Sequence, residues 1–225
     1  IQAWIIDDTG FPKKGKHSVG VVRQYCGQLG KQDNCRVAVS LSVANRTSSL
    51  PIAWRLYLPE VWASDAQRRK KTGIPKQIQF QTKPAIALQQ IQHAFQEGVS
   101  AAPVLADAAY GNDSKFREGI RELDLSYVVG VQSSMTVWKP GEGRLPKKEW
   151  KGRGRPSRLL RRDDKHTPQS VQQVALSLPV ANWKTILWRE GTSKPLRSRF
   201  AAVRVRPPHR DHERAEPHPE EWLLI

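Results

Sequence analysis

Two acidic stretches, far apart in the chain, carry the residue types best suited to chemistry. Ile5-Ile6-Asp7-Asp8-Thr9-Gly10 is an apolar run that ends in two carboxylates, and Val104-Leu105-Ala106-Asp107 repeats the arrangement. Carboxylate oxygens are hard ligands that favour Mg²⁺ or Mn²⁺, and neighbouring carboxylates repel unless a cation lies between them. Two such ions about 3.5–4 Å apart activate a water or a 3′-hydroxyl and stabilise the leaving oxygen of a phosphodiester. The pattern therefore predicts phosphoryl transfer with two metal ions, held by Asp107 and by Asp7 or Asp8.

Each acid also has a plain structural interpretation. Asp-Thr-Gly is favourable turn chemistry, so Asp7 and Asp8 alone would be read as a turn after a strand. Asp107 alone would be read as a capping residue before the next helix. The two stretches together favour the metal-binding interpretation.

The charge of the chain points to a phosphate-rich partner. The 225 residues carry a formal net charge of +16 and give a pI of about 10.2. Such an excess favours nucleic acid over an acidic membrane surface, and no apolar run approaches the roughly 20 residues that span a bilayer. We expect salt-sensitive contacts to the DNA backbone, from Arg68–Lys71, from the basic segment 144–165 and in particular from Lys13, Lys14, Lys16, Arg153 and Arg155.

Hydrophobic periodicity and turn residues predict the elements that position the acids. In chain order these are a strand at Ala3–Asp8, strands at Cys35–Ala44 and Leu50–Leu58, a helix from Lys83 to Glu97 capped by Thr82, a buried parallel strand at Val104–Ala106, a helix from Asp113 to Leu123 and a strand at Tyr127–Val131. The order β-β-β-α-β-α-β is that of the ribonuclease H-like fold, a mixed sheet whose first and fourth strands are parallel neighbours. Asp7 and Asp107 would then be close in space.

The chain changes character after Gln132, where we expect a domain boundary between 1–132 and 133–225. Helical periodicity disappears, and β-like runs follow at Val171–Leu178, Trp183–Trp188 and Phe200–Val205, with Gly191–Pro195 in a hairpin-like connection. Both chain ends fall in strand-like sequence, which leads us to expect a fragment of a longer protein.

Four separated motifs resemble bacterial insertion-sequence transposases of the DDE superfamily, and they occur in the expected order: 6–21, 24–31, 105–111 and 219–225. The resemblance implies a ribonuclease H-like catalytic domain that cuts and joins mobile-element DNA, with a β-rich insertion after residue 132. It favours Asp7 over Asp8 as the ligand, within an Asp-x-Thr pattern. It also implies transposon ends and target DNA as partners, a homo-oligomer in the DNA complex, and a bacterial cytoplasmic, nucleoid-associated protein that is not in the membrane.

The chain departs from the family pattern in one respect. The third carboxylate of such transposases is a Glu on a helix, in an Arg-x-x-x-Glu-x-x-x-x-x-x-Lys-like pattern that does not occur here. We expect this Glu beyond Ile225 and little activity from this chain alone. Two alternatives stay open, a metal-dependent DNA nuclease on the same fold and a non-catalytic DNA-binding transposon remnant.

Overall fold

The computed structural model describes residues 1–161, 164–189 and 194–225, which form two compact units, Ile1–Val131 and Gln132–Ile225. The first unit is built on a six-stranded mixed sheet and has the α/β class that the sequence predicts. Its elements are β1 (Ala3–Pro12), β2 (Val22–Cys26), β3 (Lys31–Ala44), β4 (Ser49–Leu56), α1 (Glu60–Ala63), α2 (Ala66–Thr72), α3 (Lys83–Gln96), β5 (Val104–Ala106), α4 (Ala108–Gly111), α5 (Ser114–Glu122) and β6 (Tyr127–Val129).

The long strand β3 organises the sheet. One edge of β3 pairs antiparallel with β1 along residues 35–44, and its other edge pairs with β2 at residues 31–35 and with β4 at residues 38–44. On the far side of β1, β5 pairs parallel with β1, and β6 pairs parallel with β5. The sheet is therefore antiparallel on one side of β1 and parallel on the other.

Several predicted elements of this unit are confirmed, because their local signals are strong. Thr82 caps α3 by accepting a hydrogen bond from the N–H of Ala85 (3.3 Å), and Asp113 caps α5 by accepting one from Phe116 (2.9 Å). Strand β5 has the predicted bounds and the predicted parallel neighbour, β1.

Other expectations for this unit were wrong in detail. β1 does not end at Asp8 but continues to Pro12, because its pairing with β3 continues that far. The strand β2 was missed because its polar sequence lacks apolar alternation, and its pairing with β3 extends that strand back to Lys31. The connection from Pro59 to Pro75 contains the short helices α1 and α2, and α4 follows Asp107 directly.

Helices α3 and α5 bury one face of the sheet in an apolar core. Burial of each large side chain contributes about 1.5–3 kcal/mol. Trp4 is additionally fixed by its indole N–H, which donates to the carbonyl of Ser100 at 3.0 Å, and Gln90 of α3 donates to the carbonyl of Val39 at 3.1 Å. The buried members of this core include Trp4, Ile6, Val39, Leu41, Ile86, Ala87, Ile91, Tyr110, Phe116 and Ile120.

Two glycines allow α4 to pack against the end of β6. A Cβ at Gly111 would lie 1.9 Å from the carbonyl oxygen of Gly130, and a Cβ at Gly130 would lie 2.9 Å from the backbone nitrogen of Ala108. No real side chain tolerates these separations without a backbone shift. The contact fixes the short helix α4, and with it Asp107, the residue that precedes this helix.

The described residues of the second unit form short pairs of strands, one α-helix and two short 3-10 helices. β7 (Thr136–Val137) pairs with β8 (Gln169–Ser170), β9 (Lys184–Arg189) pairs with β10 (Leu196–Phe200), and β11 (Ala202–Val205) pairs with β12 (Glu221–Leu224), all antiparallel. The strand-like runs near 183–188 and 200–205 are thus confirmed. Residues 191–193 of the hairpin-like connection lie outside the described residues.

The predicted strand at Val171–Leu178 is wrong, because this segment forms the helix α6 (Val171–Ser177). Ser170 and Gln173 form a reciprocal capping box, in which each side chain accepts a hydrogen bond from the other residue's backbone N–H (3.1 and 2.9 Å). Val171 and Val174 then lie on the buried side of one helical turn. The capping box outweighs the β preference of the valines.

Gly111→Ala should lower the free energy of unfolding by about 1–3 kcal/mol, because the added methyl group forces α4 away from Gly130. Gly27→Ala is the matched control, since nothing lies within 4 Å of a Cβ at that position. Urea unfolding followed by circular dichroism measures both changes. Equal stability of the two variants would contradict the close packing of α4 on β6.

Candidate functional site

The parallel pairing of β1 with β5 determines where the first two candidate acids lie. Ile5 is level with Leu105, and the same offset carried two residues further brings Asp7 level with Asp107. Asp107 follows β5 directly and is the N-cap of α4, where its Oδ1 accepts a hydrogen bond from the N–H of Ala109 at 2.9 Å. Both carboxylates are exposed to solvent. Both acids therefore follow the paired residues at the same end of the parallel half of the sheet.

Asp8 has a different environment from Asp7. Successive strand residues face opposite sides of a sheet, so Asp8 shares the face of the buried Ile6, while Asp7 faces the other side. The ammonium of Lys83, the first residue of α3, donates to Asp8 Oδ2, and these two side chains are only 28% and 20% exposed. The same ammonium lies 5.8 Å from the ring centre of Tyr57. Asp8 is therefore held in an ion pair.

Tyr110 is a buried residue of α4, three positions after Asp107. Its side chain is fully buried, and its ring packs against that of Phe116 at 5.8 Å. Burial, together with the charges of Asp8, Asp107 and Asp7, holds the pKa of the Tyr110 hydroxyl well above its usual range. The hydroxyl therefore keeps its proton, and among the described residues it has no hydrogen-bond partner. The Tyr110 hydroxyl is therefore a buried proton donor that no described group of the protein uses.

The donor set fits a hard divalent cation. Within the described part of the chain, no three His, Cys, Asp or Glu side chains form a group that could hold a metal ion by themselves. Mg²⁺ nevertheless binds commonly to one or two carboxylates and completes its shell with waters and substrate phosphates. Asp7 and Asp107 would hold the ion, since the second carboxylate oxygen of Asp8 is engaged by Lys83.

The side chain of Arg68 fixes the basic loop that follows β1. Arg68 donates to the carbonyl of Lys16 at 3.1 Å and stacks on the ring of Trp62 at 3.7 Å. Trp62 is buried, and its indole N–H donates to the carbonyl of Val21 at 2.8 Å. The guanidinium of Arg68 therefore supports the loop, whereas the neighbouring Lys70 points to solvent.

The three candidate lysines of this loop differ in exposure. Lys14 and Lys16 are exposed, and Lys13 is half-buried with its backbone N–H donating to the carbonyl of Asn34 at 2.8 Å. The three lysines follow the end of β1 at Pro12, and Asp7 and Asp8 lie further back on the same strand. The loop is thus a largely exposed cationic surface that continues from the strand carrying Asp7 and Asp8.

The basic segment of the second unit is an exposed turn. Arg153 and Arg155 alternate with Gly152 and Gly154, whose φ values of +82° and +75° favour glycine. The carbonyl of Gly154 accepts the indole N–H of Trp150 at 2.9 Å, which holds the 57% exposed ring against the turn. Both arginines are presented to solvent.

The sequence pattern missed two side chains of this site, Lys83 and Tyr110. Lys83 has a weak signal, because a cation in the first turn of a helix is opposed by the helix dipole and so needs a nearby acid. Tyr110 gave no signal of its own, since an aromatic residue three positions after an acid usually belongs to the core.

No described helix has the length and apolar character required to cross a bilayer.

Comparison with known proteins gives two findings. The probable transposase for insertion sequence element IS701 of Microchaete diplosiphon is 36% identical over 134 residues, which cover 59% of this chain and 32% of that relative. The match therefore spans about a third of the relative's length. Residues 1–195 match the family model of the DDE superfamily endonucleases. Since that model covers most of the sequence, this chain belongs to the DDE superfamily endonuclease family.

Proposed function

We propose that this chain supplies the acidic site and DNA-binding surface of a DNA transposase, on a ribonuclease H-like fold. The observation that carries the proposal is the common offset of β1 and β5, which brings Asp7 level with Asp107. The IS701 relative is a probable transposase, and the net charge of +16 suits a DNA substrate. Residues 133–225 would form a basic, β-rich insertion in this fold.

The chemistry follows from the placement of the acids. When bound, Mg²⁺ or Mn²⁺ supplies Lewis-acid activation of the attacking oxygen and charge neutralisation at the leaving oxygen, with two ions in the complete site. Asp7 and Asp107 would hold the metal at the scissile phosphate, while Asp8 stays paired with Lys83. Water would be the first nucleophile, which frees a 3′-hydroxyl, and this hydroxyl would then attack the target strand. A third carboxylate would complete the metal shell.

The wider assignments follow from the same proposal. Transposon ends and target DNA would be the substrates, and joining two ends requires at least two copies of the catalytic site, which favours a homo-oligomer on DNA. Such a protein would act at the bacterial nucleoid in the cytoplasm. Strand-transfer assays with labelled transposon ends test the function directly, because cleavage without joining would indicate a simple nuclease, and binding without cleavage a remnant.

Asp107→Asn should lower DNA cleavage by about 1,000-fold or more, equivalent to about 4 kcal/mol of transition-state stabilisation. The variant should bind DNA nearly as well as the wild type, since basic residues outside the acidic site would supply most of the affinity. Nicking of a plasmid that carries the transposon ends measures the rate in the protein expressed from its complete reading frame, and fluorescence anisotropy measures DNA binding. Retained cleavage would overturn the assignment.

Asp7→Asn and Asp8→Asn should have different effects. Asp7→Asn should weaken Mn²⁺ binding at least tenfold, whereas Asp8→Asn should leave most of the affinity and lower the free energy of unfolding by about 1–3 kcal/mol, because Lys83 loses its ionised partner. Electron paramagnetic resonance of free Mn²⁺ and urea unfolding give the two readouts. Loss of Mn²⁺ binding in Asp8→Asn alone would make Asp8 the ligand.

Replacing Lys13, Lys14 and Lys16 together by alanine should reduce the salt dependence of DNA binding. The slope of log K against log salt concentration is negative, and each lost phosphate contact reduces its magnitude by about 0.9. Lys115→Ala, an exposed lysine on α5, serves as the control and should leave the slope unchanged. An identical slope in the triple variant and the wild type would exclude this loop from the DNA contact. The corresponding test of the second unit is the pair Arg153→Ala and Arg155→Ala.

A further inference from the structure

The hydroxyl of Tyr110 is a buried polar group that the proposed chemistry leaves without a role. The side chain is 0% exposed, yet the hydroxyl has no hydrogen-bond partner among the described residues. A buried hydroxyl without a partner costs stability, and phenylalanine would fill the same space without that cost. The position therefore keeps a group that is unfavourable in the metal-free protein.

The backbone around Tyr110 directs the ring toward the acids. Asp107 caps α4 through Ala109, and the N–H of Tyr110 donates to the carbonyl of Asp107 at 3.2 Å. Helical side chains lean toward the N-terminus of their helix, which is the end of α4 where Asp107 lies. The ring of Tyr110 packs against that of Phe116, with the ring centres 5.8 Å apart.

The nearby acceptors are only partly used. Asp107 Oδ1 accepts from Ala109, Asp7 Oδ1 accepts from the N–H of Asp8 at 2.8 Å, and Asp8 Oδ2 accepts from Lys83. Each carboxylate thus has one oxygen engaged by the protein. The negative charge of all three acids reaches the Tyr110 hydroxyl, whose proton is the only donor on that side chain.

We propose that Tyr110 is a positioning residue of the metal site, whose hydroxyl donates to a carboxylate of the Asp7–Asp8–Asp107 group when the divalent cation is bound. Metal ligation fixes the orientation of carboxylates, and a hydrogen bond from an outer partner then holds them in place. The unpaired hydroxyl of the metal-free protein becomes satisfied in the loaded one. This inference rests on the proposed metal-dependent function.

The test uses Tyr110→Phe, which removes only the hydroxyl and keeps the ring contact with Phe116. Tyr25→Phe is the matched control, because Tyr25 is 63% exposed on β2. We expect Tyr110→Phe to bind Mn²⁺ about tenfold more weakly by electron paramagnetic resonance, with an unchanged or higher urea midpoint in the metal-free state. In the cleavage assay the half-saturating Mg²⁺ concentration should rise by a similar factor, while the rate at saturating Mg²⁺ stays within about twofold.

The outcomes separate this inference from the function on which it rests. Normal Mn²⁺ affinity in Tyr110→Phe, with affinity lost in Asp107→Asn, would overturn the role of Tyr110 and leave the metal site intact. A lower urea midpoint of metal-free Tyr110→Phe would assign the hydroxyl a structural role and would also overturn the inference. If the wild-type chain binds no Mn²⁺, the proposed metal site itself fails.

Discussion

The parallel pairing between β1 and β5 is the constraint on which the candidate site depends. These strands are far apart in the chain. The antiparallel strands lie on one side of β1, and the chain returns through α3 to place β5 on the other side. The backbone register, rather than any side-chain contact, brings Asp7 level with Asp107. The two glycines that seat α4 on β6 then hold the second acid at the end of its strand.

The three acids differ in how the protein compensates their charge. Three carboxylates act on one buried hydroxyl, and Lys83 is the cation that pairs with one of them. The pair at Asp8 divides the acids into one that is compensated within the protein and two that face solvent. Under the proposed function, this division would give different roles to groups of identical chemistry, because environment and not residue type decides the role of a carboxylate.

Elements of the first unit could be predicted from sequence where the residues that determine them lie within one short segment. Thr82, Asp113 and the uniformly apolar β5 are such cases, since caps and buried strands depend on neighbours in the chain. The end of β1 could not be predicted, because it depends on pairing with Cys35 at the other end of a hairpin. Lys83 was missed for the same reason, because its partner Asp8 is distant in sequence. The helix α6 was a missed local signal, the Ser170–Gln173 capping box.

The alternation of buried and exposed residues along β1 has a consequence for the accuracy of the site. Asp7 and Asp8 are adjacent and identical. A slip of β1 by one residue would therefore place Asp8, instead of Asp7, level with Asp107. The same slip would turn Trp4 and Ile6 away from the core, at a cost of about 3–6 kcal/mol for two large side chains. The misregistered form would then be populated at about one part in 100 to one part in 10,000. The burial of Trp4 and Ile6 thus determines which of two adjacent, identical carboxylates lies level with Asp107.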